Sequence, residues 1–367
     1  MIAPPRNVLC SFHYFKDYDL DRLPHLRIIG DSGAFSAESQ GAKITTADLA
    51  EWAAKWRHRL AWVASLDVIG DLEGTRRNWR EMVEVHGIPG VPTVHFGADP
   101  RALDWFADRG VDFVGLGGMV GLQTAKQMRW LLTIFKYQQR AHPGMRFHGW
   151  GVTSEKVLRL PFYSVDSSGW TSAVRFARLI LRDPNSPKDY AVHLNGRDVY
   201  RPEVARLLRD AYGVSFKDAA ISAGANRNVI VRLAALSTAV QEDRARRLHG
   251  PIASPAWGML DVGHRGPSIH LSTGNTYSAP ERVEELHDDA GPHLTLVSTK
   301  NNYFVEVDQM HGPHLHMATA IIDNADPVNI ENLNRSNGAT VGQLLHLACV
   351  PKDGLLRELG DQGGDPE

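Results

Sequence analysis

The sequence predicts an α/β fold: a (β/α)8 TIM-type barrel with a helical extension and a smaller α+β C-terminal domain. Short apolar runs that end in polar or glycine-rich turns alternate with longer amphipathic stretches, which is typical of parallel strands joined by crossover helices. The number of these units fits a closed barrel better than an open sheet. The expected division is a barrel at 1–195, a basic helical segment at 196–250 and an acidic α+β domain at 251–367.

The apolar runs predict strands at 26–29, 63–67, 91–95, 113–118, 147–151 and 162–166. The amphipathic stretches predict helices at 47–60, 78–86, 100–109, 123–140 and 171–182. In a parallel barrel the carboxyl ends of the strands line the active site, and an open sheet would also place them on one edge. The polar and glycine residues at these ends are Asp31, Asp67, His95, Gly117, Gly118 and Asp166.

Two acids follow apolar strands and enter glycine turns, at Asp31-Ser32-Gly33 and at Asp166-Ser167-Ser168-Gly169. A glycine near the turn lets the backbone bend away without a Cβ clash, so the carboxylate projects from the strand end. Two such carboxylates suggest general acid/base or covalent chemistry. The alternative for either acid alone is a turn cap or helix cap.

Phosphate-binding signatures are missing from the sequence. The first strand unit has no glycine fingerprint of a dinucleotide fold, and no GxxxxGK[ST] loop occurs. The sequence therefore disfavours a nucleotide-triphosphate enzyme and implies no cofactor.

Six motifs, in order, resemble the tRNA-guanine transglycosylase family, whose barrel enzymes exchange guanine for a 7-deazaguanine. The run Asp31-Ser32-Gly33-Ala34-Phe35 resembles the family's Asp-Ser-Gly-Gly-Phe, and Leu116-Gly117-Gly118-Met119-Val120-Gly121 resembles its Leu-Gly-Gly-Leu-x-x-Gly. The other four are Asp67, Thr93-Val94-His95-Phe96-Gly97, His148-Gly149-Trp150-Gly151-Val152 and Val165-Asp166-Ser167. The resemblance covers roughly residues 26 to 170.

The resemblance implies a role for each motif. Asp166 is the expected nucleophile on C1′ of the target nucleoside, and Asp31 the acid/base. Asp67 is expected to read the purine N1 and 2-amino hydrogens, while His95 and the amides near Gly117 and Gly118 face O6. The expected substrate-binding residues are Ser32, Gly33, Phe35, Asp67, His95, Gly117, Gly118 and Trp150.

Three departures from the family bear on the substrate. The chain has only two cysteines, Cys10 and Cys349, so the family's zinc site of three cysteines and a histidine cannot form and no metal is expected. His95 replaces a glutamine, and Ser168-Gly169-Trp170 stands where the family has an arginine-bearing segment. The chain therefore looks closer to zinc-independent, virus-encoded enzymes that insert 7-deazaguanines into DNA. The expected partners are DNA, with tRNA as the alternative, and the free 7-deazaguanine base.

Two other classes of function remain open. A glycoside hydrolase barrel could use Asp31 and Asp166 as its carboxylate pair. A noncatalytic barrel could bind purine or nucleic acid without turnover, although both candidate acids are present.

Composition predicts a soluble protein of the cytoplasm, in the host cell if virus-encoded. The 367 residues are 43% hydrophobic, which is enough for a barrel core with an appendage, and no apolar run approaches membrane-spanning length. The N-terminus lacks a signal sequence, and two distant cysteines form no disulfide framework.

Charge is unevenly distributed along the chain. The net charge is −2, but residues 171–250 hold 14 Lys and Arg against 8 Asp and Glu, whereas 251–367 hold 6 against 16. The basic segment is the expected place for phosphate contacts, with a solvated helical surface as the alternative. The nucleic-acid-binding candidates are Arg227, Arg244, Arg246 and Arg247.

Two further motifs lie beyond the predicted barrel. A helix, a glycine turn and a second helix at 216–228 could dock on a duplex as a helix-turn-helix, although plain helix packing shares the pattern. His311, His314 and His316 could collect a metal, but a loop followed by an ordinary strand is the better interpretation.

Overall fold

The structure is a computed structural model that describes most of the chain as far as residue 319. The described residues are 2–319 without 4–5, 35–42, 153, 172, 174–177, 195, 221–226, 259–265, 273–279, 287–293, 300–302 and 308–315. The chain forms two compact units. The sheet unit comprises Asn7–Ser167 and Glu242–Ser272, and the second unit holds the described residues of Met1–Arg6, Ser168–Gln241 and Thr273–Glu367.

The sheet unit is built on eight parallel strands. They are β1 (Asn7–Ser11), β2 (Arg27–Asp31), β3 (Leu60–Val63), β4 (Thr93–His95), β5 (Phe113–Gly117), β6 (Arg146–Gly149), β7 (Ser164–Ser167) and, later in the chain, β10 (Ser268–Ser272). Their order in the sheet is β3-β2-β1-β10-β7-β6-β5-β4. The two edge strands are β3 and β4. Ala64, which follows β3, forms an isolated parallel bridge with Val91, which precedes β4. The sheet is thus curled, and the α/β fold is compatible with a TIM-type barrel.

The eighth strand lies outside the segment expected to form the barrel. β10 pairs with β7 on one side and with β1 on the other. It starts at Ser268, beyond the expected limits of both the barrel at 195 and the helical segment at 250. The first strand, β1, is also absent from the sequence prediction.

Helices follow the strands on the outside of the sheet. They are α1 (Phe12–Phe15), α2 (Thr46–Lys55), α3 (Leu72–Arg80), α4 (Ala102–Ala107) and α5 (Thr124–Ala141). Side chains cap two of them, since Thr45 accepts a hydrogen bond from the Asp48 amide at 3.1 Å and Asp71 accepts one from Gly74 at 2.9 Å. Helices α2 to α5 overlap the predicted helices at 47–60, 78–86, 100–109 and 123–140. Helix α3 starts at Leu72, earlier than the predicted start at 78, and continues as a π-helical turn, Glu81–Val85.

Side chains on the inner face of the curled sheet meet across strands that are not neighbours. Trp62 of β3 packs edge-on against His148 of β6, with ring centroids 4.8 Å apart, and against Phe113 of β5 at 5.1 Å. Phe113 in turn packs against Tyr163 at 5.3 Å. These side chains form an aromatic layer on the inner face of the curled sheet.

The amino ends of the strands are covered by the chain itself. Asp112, which precedes β5, accepts hydrogen bonds from the amides of Ala256 at 2.8 Å and Trp257 at 2.7 Å. The Trp257 indole donates to the Gly90 carbonyl at 3.1 Å. Residues 256 and 257 therefore cover the amino ends of β4 and β5.

The second unit contains an antiparallel hairpin where the sequence predicted a helix. Its strands are β8 (Arg178–Arg182) and β9 (Asp189–His193). The predicted helix at 171–182 is therefore wrong over its last five residues, because Leu179 and Leu181 are buried while Arg178 and Ile180 are exposed, which is the period of a strand.

The second unit also contains helices. Its helices are α6 (Pro202–Asp210), α7 (Phe216–Ala219) and α8 (Arg227–His249), and α8 continues into the sheet unit. The turn of the expected helix-turn-helix, 221–226, lies outside the described residues. Four further strands form an antiparallel sheet: β11 (Pro280–Leu286), β12 (Leu294–Thr299), β13 (Tyr303–Val307) and β14 (His316–Thr319). No helix in the described part of the chain is both long and apolar enough to cross a membrane.

Candidate active site

Asp31 ends β2 and is held by the turn that follows it. Its Oδ2 accepts a hydrogen bond from the Gly33 amide at 3.1 Å. Gly33 has a φ of 74°, and a Cβ there would lie 2.7 Å from the Cβ of His13 and 2.8 Å from the Oγ of Ser11, so only glycine fits. Ser11 is the partner of Asp31 in the register of β1 and β2.

The electrostatics of the site raise the pKa of Asp31 from 3.8 to about 7. Burial of the carboxyl group is the largest cause, followed by the negative charges of Asp67 and then Asp166. The hydrogen bonds from Gly33 and Ser11 act in the opposite direction. The three acids at the ends of β2, β3 and β7 therefore share one site, and Asp31 holds its proton near neutral pH.

Asp67 lies in the loop after β3 and is held from two sides. Its Oδ1 accepts a hydrogen bond from the Oγ of Ser32 at 3.3 Å, and its Oδ2 lies 2.8 Å from the Nε2 of His95 at the end of β4. The side chains of Asp67 and His95 are only 17% and 14% exposed. The structure thus brings together three of the predicted substrate-binding residues, with Asp67 as the common acceptor.

Asp166 lies on β7 and is buried at the same end of the sheet. Its Oδ1 accepts a hydrogen bond from the Gly151 amide at 2.8 Å and lies 3.4 Å from the Nε2 of His148. Burial lowers the pKa of the His148 imidazole, an effect that nearby Asp166 partly opposes. A protonated acid at Asp31 beside a second carboxyl group at Asp166 can perform acid/base chemistry together with nucleophilic attack.

Glycines of β5 make room for the Trp150 indole. A Cβ at Gly115 would collide with the Nε1 of Trp150, and one at Gly117 would lie 3.0 Å from Thr93 and 3.2 Å from Trp150. The indole donates to the Oγ1 of Thr93 at 3.1 Å. Gly118, with a φ of 72°, turns the chain away at the end of the strand. Gly117 therefore adjoins Trp150, and Gly118 adjoins His95.

The remaining predicted site residues are Phe35 and the four arginines expected to bind nucleic acid. Phe35 lies outside the described residues, as does the side chain of Arg227. Arg246 lies at the amino ends of the strands, opposite the carboxylates, because it pairs with Glu242 at 2.7 Å and donates to the carbonyl of Pro267 at 2.9 Å. Glu242 itself accepts hydrogen bonds from Asn7 at 2.8 Å and from the amide of Ile269 at 2.7 Å.

The other two arginines also belong to the sheet unit. Arg244 is 16% exposed and its guanidinium lies 3.9 Å from the carboxylate of Glu155, whereas Arg247 is exposed. The structure therefore does not gather these arginines beside the three carboxylates, and only Arg247 among those with described side chains is largely open to solvent.

Sequence reasoning missed several polar side chains inside the sheet. His148 and His270 are fully buried, and His270 is the register partner of Asp166 on β10. Ser164 of β7 and Ser268 of β10 are also buried, and each contacts one of these histidines. The available signal was a polar residue within an apolar run, as in Ser268-Ile269-His270-Leu271, since a buried polar side chain needs a partner.

The described residues contain no group of three or more His, Cys, Asp or Glu side chains that could hold a metal ion. Of the histidine cluster considered from the sequence, His311 and His314 lie outside the described residues, as does the side chain of His316. No protein-family model matches the sequence, and a search of curated proteins found no significant match.

Proposed function

We propose that this protein is a base-exchange transglycosylase that replaces guanine in nucleic acid, with DNA as the first candidate, by a 7-deazaguanine base such as preQ0. One observation carries the proposal. The pKa of Asp31 is raised to about 7 by burial and by the charges of Asp67 and Asp166, so a proton donor and a separate nucleophile share one site at neutral pH.

The finer fold assignment, a (β/α)8 TIM-type barrel, belongs to the same proposal. Every strand of the sheet except β4 lies beside the strand that precedes it in the sheet unit, β10 lies between β7 and β1, and β3 and β4 are the two edge strands. The bridge between Ala64 and Val91 adds hydrogen bonds between the two edge strands, including one from the Ser65 amide to the Val91 carbonyl at 2.9 Å. Catalytic residues of such barrels come from the carboxyl ends of several strands.

The proposed reaction breaks the glycosidic bond to guanine and makes a new one to the incoming base at the same carbon, through an ester of Asp166. A carboxylate oxygen of Asp166 attacks C1′, the C1′–N9 bond breaks, and its electron pair stays with the guanine, which takes the proton of Asp31. The incoming base then gives a ring N–H proton to the Asp31 carboxylate. Its nitrogen attacks C1′, and the carboxylate of Asp166 leaves. The configuration at C1′ is retained, and no cofactor takes part in this balance.

The proposed recognition of guanine uses the second carboxylate. Asp67 accepts hydrogen bonds from N1–H and from the 2-amino group, which adenine does not offer in that arrangement. His95 contacts Asp67 through Nε2, which leaves Nδ1 to donate to O6 when the imidazole carries both protons. The amides near Gly117 and Gly118 complete the O6 side. The target nucleotide must leave its stack to enter, at a cost of about a few kcal/mol.

The test is labelled-guanine exchange into DNA and into tRNA, run side by side with wild-type protein and with Asp166→Asn. Exchange into DNA that the variant lacks supports the proposal as stated. Exchange into tRNA alone would keep the reaction but change the substrate. Release of sugar from glycosides without base exchange, or guanine binding without any turnover, would refute it.

A further inference from the structure

His148 is buried beside the proposed nucleophile and has a polar neighbour at each ring nitrogen. Its side chain is fully buried on β6. The Nδ1 atom lies 2.7 Å from the Oγ of Ser164, and the Nε2 atom lies 3.4 Å from the Oδ1 of Asp166. The ring also packs edge-on against Trp150, with centroids 4.2 Å apart. The imidazole is therefore fixed in position by polar contacts at two corners and by an aromatic ring.

These contacts determine the tautomer. A carboxylate only accepts hydrogen bonds, so the closeness of Asp166 Oδ1 favours the neutral tautomer whose proton is on Nε2. Nδ1 then carries a lone pair and accepts from the hydroxyl of Ser164. Burial, which lowers the pKa of His148, favours this neutral ring. A hydroxyl that donates to Nδ1 thus sets the direction of the Nε2 proton, much as outer partners orient histidines at metal sites.

One hydrogen bond and one longer polar contact to Asp166 converge on the same oxygen. The Gly151 amide donates to Oδ1 at 2.8 Å. The Nε2 of His148 lies 3.4 Å from Oδ1, is buried and makes no hydrogen bond to the described residues, so its N–H has Oδ1 as the nearby acceptor. We propose that Ser164 and His148 form a positioning pair that, with Gly151, holds Oδ1 of Asp166 and thereby presents Oδ2 to C1′. This inference rests on the proposed function and names which oxygen of the nucleophile reacts and which residues aim it.

The positioning pair acts on one step of the reaction, the attack of Oδ2 on C1′. In the attack, a lone pair of Oδ2 forms the new bond to C1′ while the C1′–N9 electrons leave with the base. With the Gly151 amide and the His148 ring both placed against Oδ1, rotation of the carboxylate is restricted and Oδ2 stays within reach of C1′. When the ester forms at Oδ2, Oδ1 becomes a carbonyl oxygen, which can still accept from the Gly151 amide. His148 therefore affects the rate of adduct formation and leaves binding of the free base unchanged.

Three variants separate a positioning role from a structural one. His148→Gln keeps an N–H donor close to the Nε2 position, His148→Met removes it with a side chain of similar length, and Ser164→Ala removes the hydroxyl that sets the tautomer. Single-turnover trapping should show adduct formation about 10- to 100-fold slower in His148→Met, as expected for a misplaced nucleophile. His148→Gln should recover most of that rate. Guanine affinity should match wild type in all three, with thermal unfolding as the control for folding.

A readout independent of turnover covers the case in which His148→Met is poorly folded. Histidine 15N spectra of wild type and His148→Gln differ by the signals of one ring, which should show a protonated Nε2 and an unprotonated Nδ1 near neutral pH. A protonated Nδ1 would overturn the inference. Equal adduct rates in wild type and His148→Met would also overturn it while leaving the proposed function intact. A wild-type protein that forms no adduct with DNA or tRNA would overturn both.

Discussion

The Nε2 of His95 lies 2.8 Å from the Oδ2 of Asp67, so the imidazole at the end of β4 and the acid that follows β3 form one unit. Asp67→Asn should weaken guanine binding on the order of 10- to 100-fold, because charge-assisted hydrogen bonds to N1–H and the 2-amino group are lost. Adenine binding should change much less. Calorimetric titration with both bases measures this difference, and an equal loss for both would show that Asp67 does not read the purine.

The pH dependence of guanine release should follow Asp31. Its carboxyl group must be protonated to give a proton to the leaving base, and its pKa is raised to about 7. The rate of adduct formation should therefore be high below this pH and fall as the pH rises through about 7.

Asp67→Asn provides a matched control, because the charge of Asp67 is one cause of the raised pKa. In this variant the fall in rate should move to lower pH. Single-turnover rates between pH 5 and pH 9 test both expectations, and a profile that is flat around pH 7 in the wild type would contradict the acid role of Asp31.

The same pKa predicts how Asp31 affects stability. Between pH 3.8 and about 7 the folded protein keeps the Asp31 proton while the unfolded chain loses it, so the free energy of unfolding falls as the pH rises across this window. Asp31→Asn carries no charge and avoids this loss. It should be more stable than wild type above pH 7, by at most about 4 kcal/mol, and nearly equal to it at pH 3.5. Urea unfolding at both pH values measures the difference, and a destabilised variant at pH 8 would contradict the prediction.

The position of the site residues at the strand ends was predictable from the sequence, whereas the contacts of buried polar residues such as His148 were not. Asp31, Asp67, His95 and Asp166 each follow an apolar run, and the carboxyl ends of parallel strands share one edge, so local pattern was sufficient. His148 lies inside a strand that is covered on both faces. Such strands lose the alternation of buried and exposed residues, and a polar residue within them does not reveal its partner.

The local sequence pattern also could not predict which distant segments pair in the sheet. β10 completes the sheet beside β1, yet the hairpin and helices of the second unit lie between β7 and β10 in the sequence. The alternation of strand and helix stops there, so the eighth strand could not be recognised as the continuation of the same series. The sequence predicts a helix at Leu179 and Leu181 of β8, because a short apolar pattern does not distinguish the period of a helix from that of a strand.

Asp166→Asn should abolish base exchange while keeping the fold and free-base binding. The amide has nearly the same shape as the carboxylate, so it can still accept from the Gly151 amide, but it is a poor nucleophile. Denaturing gels of the reaction with labelled DNA should show no covalent adduct. Near wild-type exchange in Asp166→Asn, with loss of the adduct in Asp31→Asn instead, would reverse the two assigned roles.

The basic residues of α8 provide the last prediction, which concerns nucleic-acid binding. The sequence predicts that neutralising Arg227, Arg244, Arg246 and Arg247 weakens DNA binding, but two of these form ion pairs within the sheet unit. Arg246→Gln would leave Glu242 largely buried without its cation and should cost about 1–3 kcal/mol of stability, less than for a fully buried pair because Arg246 is 40% exposed.

The informative variant is therefore the double substitution Arg227→Gln with Arg247→Gln, and Arg246→Gln serves as its control. If each of the two arginines contacts one phosphate, the double variant should raise the Kd for DNA and reduce the slope of log K against log salt by about 2, because fewer counterions are released. Guanine affinity should stay constant, since the base pocket is built from strand ends. Titrations at several salt concentrations measure this, and an unchanged slope would place the nucleic acid on another surface.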